Sequence, residues 1–326
     1  MTFLFSKTGQ YLRTLLKEFK QSHKIRLLKK RYFVFAICVF LFIVLITISF
    51  SGMAIFSLIQ VGNQFDIESY FPTVPPSIIQ DARNLAIQLY GKTSDSELYF
   101  QQLLSAYQLT VDKQFLIIFN LGGWGTKTLE DSSNWTSIID GIQTELVASG
   151  YKVVALNYQR TTDNIVGQIN EVEEAVTGYI LKAKDLAQRV EFLTSHNPEL
   201  CVILAGESTG TMICDSTMNL LKENTRVYSI QTGSPFWQKN TIRDRTVVVN
   251  DNGLIPDTFS RGDLFTAVKS NLKRLLGNNQ PEEGGMILNF LSAPGHEYWW
   301  DNPNVYNQIG MFLEQYFEIQ FDLQEE

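Results

Sequence analysis

The segment CVILAGESTGTMICDSTMNL, residues 201–220, decides the fold of this chain. The apolar run Cys201–Ala205 predicts a buried strand, and the residues after Gly210 predict a helix that continues to about Leu221. The turn between them, Gly206-Glu207-Ser208-Thr209-Gly210, fits the pattern G-x-S-x-G. In that context the glycines let strand and helix approach closely and raise the serine hydroxyl above the edge of the sheet. Ser208 is therefore a candidate nucleophile, and the alternative is an ordinary glycine-rich turn.

Strands and helices alternate on both sides of this segment. Short apolar runs predict strands, and residues recurring at intervals of three and four predict the helices between them. Short, continuously apolar strands that alternate with helices are typical of a parallel sheet covered on both faces. We therefore predict an α/β domain over residues 114–326, with strands at Phe115–Asn120, Lys152–Asn157, Cys201–Ala205, Val227–Gln231, Thr246–Val249 and Met286–Phe290.

A nucleophilic serine needs a base, and the chain holds three histidines. His23 lies in a basic N-terminal arm. His196 lies in a Ser-His-Asn-Pro turn ahead of the nucleophile strand, where we expect a solvated residue. His296 follows the last predicted strand, so its loop should lie at the same carboxyl edge of the sheet as Ser208. By elimination His296 is the candidate base, and the alternative is a surface-loop histidine.

The third member of such a site is a carboxylate after the penultimate strand, in the chain order serine, acid, histidine. The run Thr246–Asn250 is followed by Asp251, which is our first choice for an acid that orients the His296 imidazole. Asp257 is the second choice. Either could instead be a turn-forming aspartate beside Gly253 or Pro256.

Stabilisation of an oxyanion requires two backbone N–H groups. Thr209, directly after the candidate nucleophile, should supply one of them. Gly123 or Trp124, in the loop after Phe115–Asn120, should supply the other. That glycine-rich loop lacks the Gly-Lys-Ser/Thr ending of a nucleotide-binding loop, which disfavours a phosphate cradle.

With these motifs the chain resembles the α/β-hydrolase superfamily of esterases and lipases over about residues 114–326. AGESTG is similar to the Gly-Glu-Ser-Ala-Gly turn of carboxylesterases, and LGGWG to their His-Gly-Gly-Gly oxyanion loop, with Leu121 in place of the histidine. The chain departs from the pattern at Asn252, which stands where many relatives carry the acid. The resemblance implies hydrolysis of an ester or thioester through an acyl-Ser208 intermediate, with neither cofactor nor metal.

Two other functions use the same fold, namely a catalytically silent binding or scaffold module and an acyltransferase or peptidase. Lids of this superfamily are often inserted after the strand that follows the nucleophile helix. Only residues 232–245 separate that strand from the next here, so we expect little or no cap domain and an open site. Trp237, Trp299 and Trp300 could line an acyl groove or contact lipid, although packing against the C-terminal helix explains them equally well.

The N-terminal part predicts a membrane anchor. Residues 32–50, YFVFAICVFLFIVLITISF, carry no charge and are long enough to cross a bilayer as a helix. A cleaved signal peptide is the rival, but its apolar region is shorter and ends at a small-x-small site. We predict a transmembrane helix over residues 32–55, a cytoplasmic basic arm over 1–31, and a linker with short helices over 56–113. Positively charged flanks stay in the cytoplasm, so the main domain should lie outside it.

Charge divides the chain in the same way. The net charge of −7 combines +8 for residues 1–31 with −15 for residues 32–326. Such an acidic body disfavours nucleic-acid binding, which rests on Lys and Arg at phosphates. It should also be repelled by anionic lipid, so we expect it to stand off the membrane. The expected partners are an acyl substrate and the membrane around the anchor. Cys201 and Cys214 are expected to be buried thiols, and the sequence predicts no oligomeric state.

Overall fold

A parallel sheet forms the centre of the computed structural model, which describes residues 71–123, 129–158, 174, 178–238, 244–275, 286–288 and 291–321. Its five strands lie side by side in the order β2-β1-β3-β4-β5, and each neighbouring pair is parallel. The α/β class and the parallel sheet are therefore confirmed. The strands are β1 Phe115–Asn120, β2 Val153–Asn157, β3 Cys201–Glu207, β4 Val227–Thr232 and β5 Thr246–Val249.

Helices cover both faces of this sheet, as predicted. Seven helices are described: α1 Pro76–Tyr90, α2 Ser94–Thr110, α3 Ser133–Ala148, α4 Ile180–His196, α5 Gly210–Leu220, α6 Leu264–Leu275 and α7 Pro303–Phe317. Successive strand residues point to opposite faces. Leu116 and Ile118 accordingly pack with α1, α2, α4 and α5, whereas Ile117 and Phe119 pack with α3 and α7. Two separate hydrophobic cores result, one on each face of the sheet.

The two helices ahead of the first strand belong to the core of the sheet domain. Ala82 and Ala86 of α1 and Phe100 of α2 are almost fully buried, in the same core as the sheet residues Leu116 and Leu204. The compact unit Gln64–Glu326 includes both helices. The two helices therefore pack on the sheet as part of the same compact unit.

A capping box begins α2. Thr93 is the N-cap: its side chain accepts from the Ser96 N–H, and the Ser96 hydroxyl accepts from the Thr93 N–H, each at 3.3 Å. Glu97, one residue further along, faces Arg83 of α1 at 3.5 Å.

The last predicted strand does not join the parallel sheet. Within the stretch expected as Met286–Phe290, a short strand β6, Met286–Leu288, pairs antiparallel with β7, Leu291–Ser292. The residues paired across these two strands are Met286 with Ser292 and Leu288 with Leu291. The loop that carries His296 therefore leaves a small separate hairpin and not a sixth parallel strand.

The predicted anchor lies outside the described residues, as do the basic arm 1–31 and most of the linker. Among the helices that the structure does describe, none is long and apolar enough to cross a membrane. Of the two cysteines in the described residues, Cys214 is buried and Cys201 is partly buried.

Candidate active site

The strand order places the carboxyl ends of β1 and β3 side by side at one edge of the sheet. The chain leaves β1 toward α3 on one face and leaves β3 toward α5 on the other. In open α/β sheets, ligands bind where neighbouring strands diverge in this way. The loop that starts at Leu121 and the turn that carries Ser208 flank this point.

Ser208 sits in a strained backbone conformation. Its φ is +50°, in the left-handed region that residues with a side chain rarely occupy, and such strain concentrates at functional sites. The flanking glycines are required by the packing. A Cβ on Gly206 would lie 2.8 Å from Cys214 Sγ, and one on Gly210 would lie 2.0 Å from the Asn120 carbonyl oxygen. The turn therefore has the geometry expected of a nucleophile-bearing strand–helix junction.

A buried carboxylate orients His296. The distance between His296 Nδ1 and Asp257 Oδ2 is 2.8 Å, and both side chains are almost completely shielded from solvent. A histidine that donates from Nδ1 to a carboxylate leaves its Nε2 as the proton acceptor. The structure thus brings together the histidine that we predicted and the second of the two acids.

Asp251, our first choice for the acid, pairs with Arg261 and not with His296. Its carboxylate lies 2.6 Å from the Arg261 guanidinium on a largely exposed edge, and it also accepts from the Gly253 N–H at 2.9 Å. After β5 the chain folds back through a bridge between Asp251 and Pro256. That reversal places Asp257, six residues later, against the histidine and leaves Asp251 outside.

Asp257 accepts hydrogen bonds on both carboxylate oxygens. Oδ1 accepts from the backbone N–H groups of Phe259 and Ser260 at 2.8 and 3.1 Å. Besides His296, Oδ2 accepts from the hydroxyls of Ser260 at 2.7 Å and Tyr298 at 2.5 Å. Burial alone would raise the pKa of Asp257, but the hydrogen bond and charge of His296, together with the two hydroxyls, lower it to about 2. The carboxylate is therefore charged at neutral pH.

Tyr298 and Ser260 were not identified from the sequence. The buried Tyr298 has its pKa raised strongly, first by burial and then by the charge of Asp257, so it remains a hydroxyl donor. The only available signal was the spacing Asp257-x-x-Ser260, which is typical of an aspartate that binds the backbone two and three residues ahead. Tyr298 follows His296 by two residues, a spacing that carries no meaning without the fold.

Side-chain and backbone contacts tie the acid loop to the histidine loop. The Asn252 amide donates to the carbonyl oxygens of Glu297 at 2.8 Å and Gly295 at 3.4 Å. Thr258 donates to the Pro294 carbonyl oxygen from both its N–H and its hydroxyl, each at 3.0 Å. Asn252 thus has a structural role between the two loops.

Contacts with β4 bring His296 to the neighbourhood of Ser208. The Ser208 N–H donates to the carbonyl of Thr232, the last residue of β4, at 3.0 Å. The imidazole of His296 packs on the next residue, where a Cβ on Gly233 would lie 2.6 Å from Cε1. Ser208 Oγ is buried and, among the described residues, has no hydrogen-bond partner, His296 included. The hydrogen bond between Asp257 and His296 is formed, and the one between Ser208 and His296 is not. Catalytic hydrogen bonds are often long or unformed in sites without substrate.

The loop after β1 packs directly on the serine. A Cβ on Gly122 would lie 2.8 Å from Ser208 Cβ, and the Thr209 hydroxyl donates to the Gly123 carbonyl at 3.2 Å. Thr209 is the N-cap of α5, where the helix dipole favours a developing negative charge. The structure therefore brings Thr209 and Gly123 of the expected oxyanion site together, whereas Trp124 lies outside the described residues.

Glu207, in the x position of the motif, secures that loop. Its carboxylate accepts from the Asn134 amide at 3.2 Å and faces the Gly122 N–H at 3.5 Å. The loop and α3 are thereby both fastened to the residue beside Ser208.

Aromatic rings form one wall beside the histidine. Phe259 meets the imidazole of His296 edge-on at 4.9 Å between ring centres, and Trp237 meets Phe259 in the same way at 5.3 Å. Trp237 is half exposed. Trp237 therefore approaches the histidine through Phe259, whereas Trp300 packs against Gly141 of α3.

The other histidine of the domain lies elsewhere. His196 ends α4, just ahead of β3, and its ring nitrogens face Asp81 and the Phe192 carbonyl. It does not take part in the site. Within the described ranges, no group of three or more His, Cys, Asp and Glu side chains could hold a metal ion.

Comparison with solved structures yields remote likenesses. No protein-family model and no curated protein sequence matches the chain. Among solved structures, a Trichoderma reesei cutinase in complex with a phosphonate inhibitor is similar at a TM-score of 0.33 and 14% identity, covering 60% of this chain and 84% of the cutinase. The Lac repressor bound to ONPG is similar at a TM-score of 0.27 and 10% identity, covering 80% of this chain and 64% of the repressor chain. Both TM-scores are below 0.5, so neither likeness carries a conclusion about function.

Proposed function

We propose that the protein is a serine hydrolase of the α/β-hydrolase type that cleaves a carboxylic ester or related acyl group. Ser208 is the nucleophile, His296 the general base and Asp257 the acid that orients it. The observation that carries the proposal is the buried 2.8 Å contact between Asp257 and His296 beside a serine held at positive φ. A histidine with a charged, buried partner can receive a proton at Nε2.

The reaction follows from these positions. Ser208 Oγ bonds to the carbonyl carbon of the substrate while its proton passes to His296 Nε2. The carbonyl oxygen becomes an oxyanion, which the N–H groups of Thr209 and Gly123 stabilise. The tetrahedral intermediate collapses, the bond to the leaving alcohol breaks, and the alcohol takes the proton from His296. Water then attacks acyl-Ser208 by the same route and releases the carboxylic acid.

Asp257 acts through its charge. Since its pKa is about 2, it remains ionised at neutral pH while the histidine accepts and returns the proton of Ser208. It holds Nδ1 protonated and stabilises the imidazolium that forms in each step.

A catalytically silent fold is the second candidate function. The absence of a hydrogen bond between the buried Ser208 hydroxyl and His296, within the described residues, favours it. A silent module would have no need for the strained serine or for a charged carboxylate buried beside the histidine. We therefore place it second. Acyl transfer on the same residues is a third possibility, which differs only in the acceptor of the acyl group.

We further propose that residues 32–55 anchor the protein in a membrane, with the arm 1–31 in the cytoplasm and the hydrolase domain outside it. The proposal rests on the long uncharged run and on the basic flank that precedes it. Protease treatment of intact cells or sealed vesicles tests it, because an external domain is digested without permeabilisation and a cytoplasmic one is not.

Hydrolysis of p-nitrophenyl esters of different acyl length tests the proposed activity. We expect turnover by the full chain that is lost in Ser208→Ala and His296→Ala, while His196→Ala, a matched control at the other histidine of the domain, retains it. Turnover that survives in Ser208→Ala would refute the mechanism. Addition of alcohol acceptors separates the two enzyme functions, since a transferase forms the new ester in preference to the free acid.

A further inference from the structure

Helix α6 is oriented with its apolar side outward. Phe265, Val268 and Leu272 recur at intervals of three and four and so share one face, and their exposed fractions are 80%, 57% and 54%. A helix on the surface of a globular domain normally buries such a face. A cluster of large apolar side chains in solvent is typical of a surface that meets a partner.

Polar contacts fix this orientation. The Asn271 amide donates to the Ser292 carbonyl at 2.7 Å and accepts from the Ser292 N–H at 2.9 Å, which joins α6 to β7. Ser270, on the same side of the helix, is buried. The side of α6 that carries Ser270 and Asn271 therefore faces the domain, and the bonds of Asn271 leave Phe265, Val268 and Leu272 exposed.

The charges of α6 are all positive. The helix contains Lys269, Lys273 and Arg274 and no acidic residue, in a domain that is otherwise strongly acidic. Lys269 lies next to Phe265 on the helix surface and is exposed. A short helix with bulky apolar residues on one side and flanking lysines has the composition of helices that lie in the interface of a bilayer.

We propose that α6 docks on an anionic membrane surface, with Phe265, Val268 and Leu272 inserted among the lipids and Lys269 at the headgroups. The positive charges of α6 favour an anionic membrane over a neutral protein surface, because each Lys or Arg near an anionic leaflet adds to the attraction. The predicted anchor supports it too. Only residues 56–70 lie between that segment and the first described residue, which limits the reach to about 50 Å at full extension.

Docking by α6 would bring the proposed active site to the lipid surface. The loop that carries Asp257 leads directly into α6. The N–H of Asp263, the residue before α6, donates to the carbonyl of Thr258 in that loop at 2.8 Å. Phe236 and Trp237 are also exposed, and Phe236 packs beside Gly262 near the start of α6. The inference is independent of the proposed catalysis, because α6 contains none of the proposed catalytic residues. It also revises our expectation that the acidic body stands off the membrane.

A fluorescent amino acid placed at residue 268 of the full chain tests the proposal. The chain offers a matched control in Val147 of α3, which is exposed to 58% against 57% for Val268. Vesicles of phosphatidylcholine with phosphatidylglycerol, brominated at carbons 6 and 7 of the acyl chains, report insertion by quenching. We expect a blue shift and quenching at residue 268 and neither at residue 147. Lys269→Glu should weaken docking about 30-fold.

Three results would overturn the proposal. The first is equal quenching, or none, at residues 268 and 147. The second is protection of residue 268 from iodide without lipid, which would mean that another part of the chain covers the helix. The third is a blue shift without lipid that grows with protein concentration, which would assign the face to a second copy of the chain. The experiment measures fluorescence and not ester hydrolysis. Its result can therefore refute membrane docking without bearing on the proposed hydrolase activity.

Discussion

Replacement of Asp257 by asparagine is the sharpest perturbation of the proposed triad. Oδ1 accepts from two backbone N–H groups, which can only donate. Two of the three donors at Oδ2 are hydroxyls, which can rotate and accept a hydrogen bond instead. The NH₂ group of the introduced amide is therefore expected at the Oδ2 position, facing His296 Nδ1. There it donates to Nδ1, which shifts the imidazole proton to Nε2 and removes the base that Ser208 needs.

The expected loss is large. An amide in place of the triad acid lowers kcat by about 10⁴-fold, or about 5.5 kcal/mol in the barrier. The effect on folding is smaller. The pKa of Asp257 falls from 3.8 to about 2, which corresponds to about 2.4 kcal/mol of stability at neutral pH. Because the folded-state pKa is depressed, that stability is present above pH 4 and lost as the pH falls toward 2.

The assay compares kcat for a p-nitrophenyl ester in Asp257→Asn and Asp251→Asn, with urea unfolding of both at pH 7 and pH 3. Asp251 pairs with Arg261 at the surface, where such a bridge contributes at most about 1 kcal/mol, so its variant should keep nearly full activity. The wild type should lose stability between pH 7 and pH 3 more steeply than Asp257→Asn. A severe loss of kcat in Asp251→Asn with little change in Asp257→Asn would refute the assignment.

Three further predictions concern the supports of the site and of the domain. Tyr298→Phe removes a 2.5 Å bond to the Asp257 carboxylate, so it should raise the pKa of Asp257 and cost about 2 kcal/mol of unfolding free energy at pH 7 but much less near pH 2, measured by urea unfolding against pH. Equal destabilisation at both pH values would contradict this. Gly233→Ala should lower kcat strongly because its Cβ would meet the His296 ring, while Gly91→Ala, at a similar φ of +68° with open space around it, should lose only about 1–2 kcal/mol of stability and no activity in the ester assay. Equal kcat in the two variants would show that contact with the histidine is not the cause. Arg189→Ala should destabilise by about 3 kcal/mol, since the guanidinium lies over the Tyr99 ring and beside the partly buried Asp185. Arg83→Ala, over the Phe100 ring at the same 4.2 Å but with a more exposed partner, should cost no more than about 1 kcal/mol by the same unfolding assay, and a larger loss there would reverse the argument.

Local patterns carried the prediction of the sheet and of Ser208. The strand CVILA, the two glycines and the following helix are consecutive in the chain, and each requirement of the turn is met by a neighbour in sequence. The identification of His296 depended on elimination and on the rule that parallel strands end at one edge, and its position beside β4 agrees with that rule.

The choice of acid depended on contacts that the sequence does not display. The chain reverses between Asp251 and Pro256, and Asn252 binds carbonyl groups more than forty residues away. Distance along the chain from the end of β5 therefore favoured the nearer aspartate. The same limit applies to β6, because a run of apolar residues does not reveal whether it pairs with the main sheet or with its own continuation.

The orientation of α6 illustrates a related limit. Periodicity alone would turn its apolar residues Phe265 and Leu272 inward. The pair of bonds between Asn271 and Ser292 decides otherwise. Such long-range polar contacts become visible only once both elements have been placed.

Labelling of the full chain with a fluorophosphonate, followed by peptide mass spectrometry, tests the central claim most directly. The reagent bonds to a serine only where a base activates the hydroxyl and donors stabilise the oxyanion. The proposed triad predicts a single adduct on Ser208, absent in Ser208→Ala and formed much more slowly in Asp257→Asn. No adduct on the wild-type chain, or equal labelling of Ser208→Ala, would contradict it.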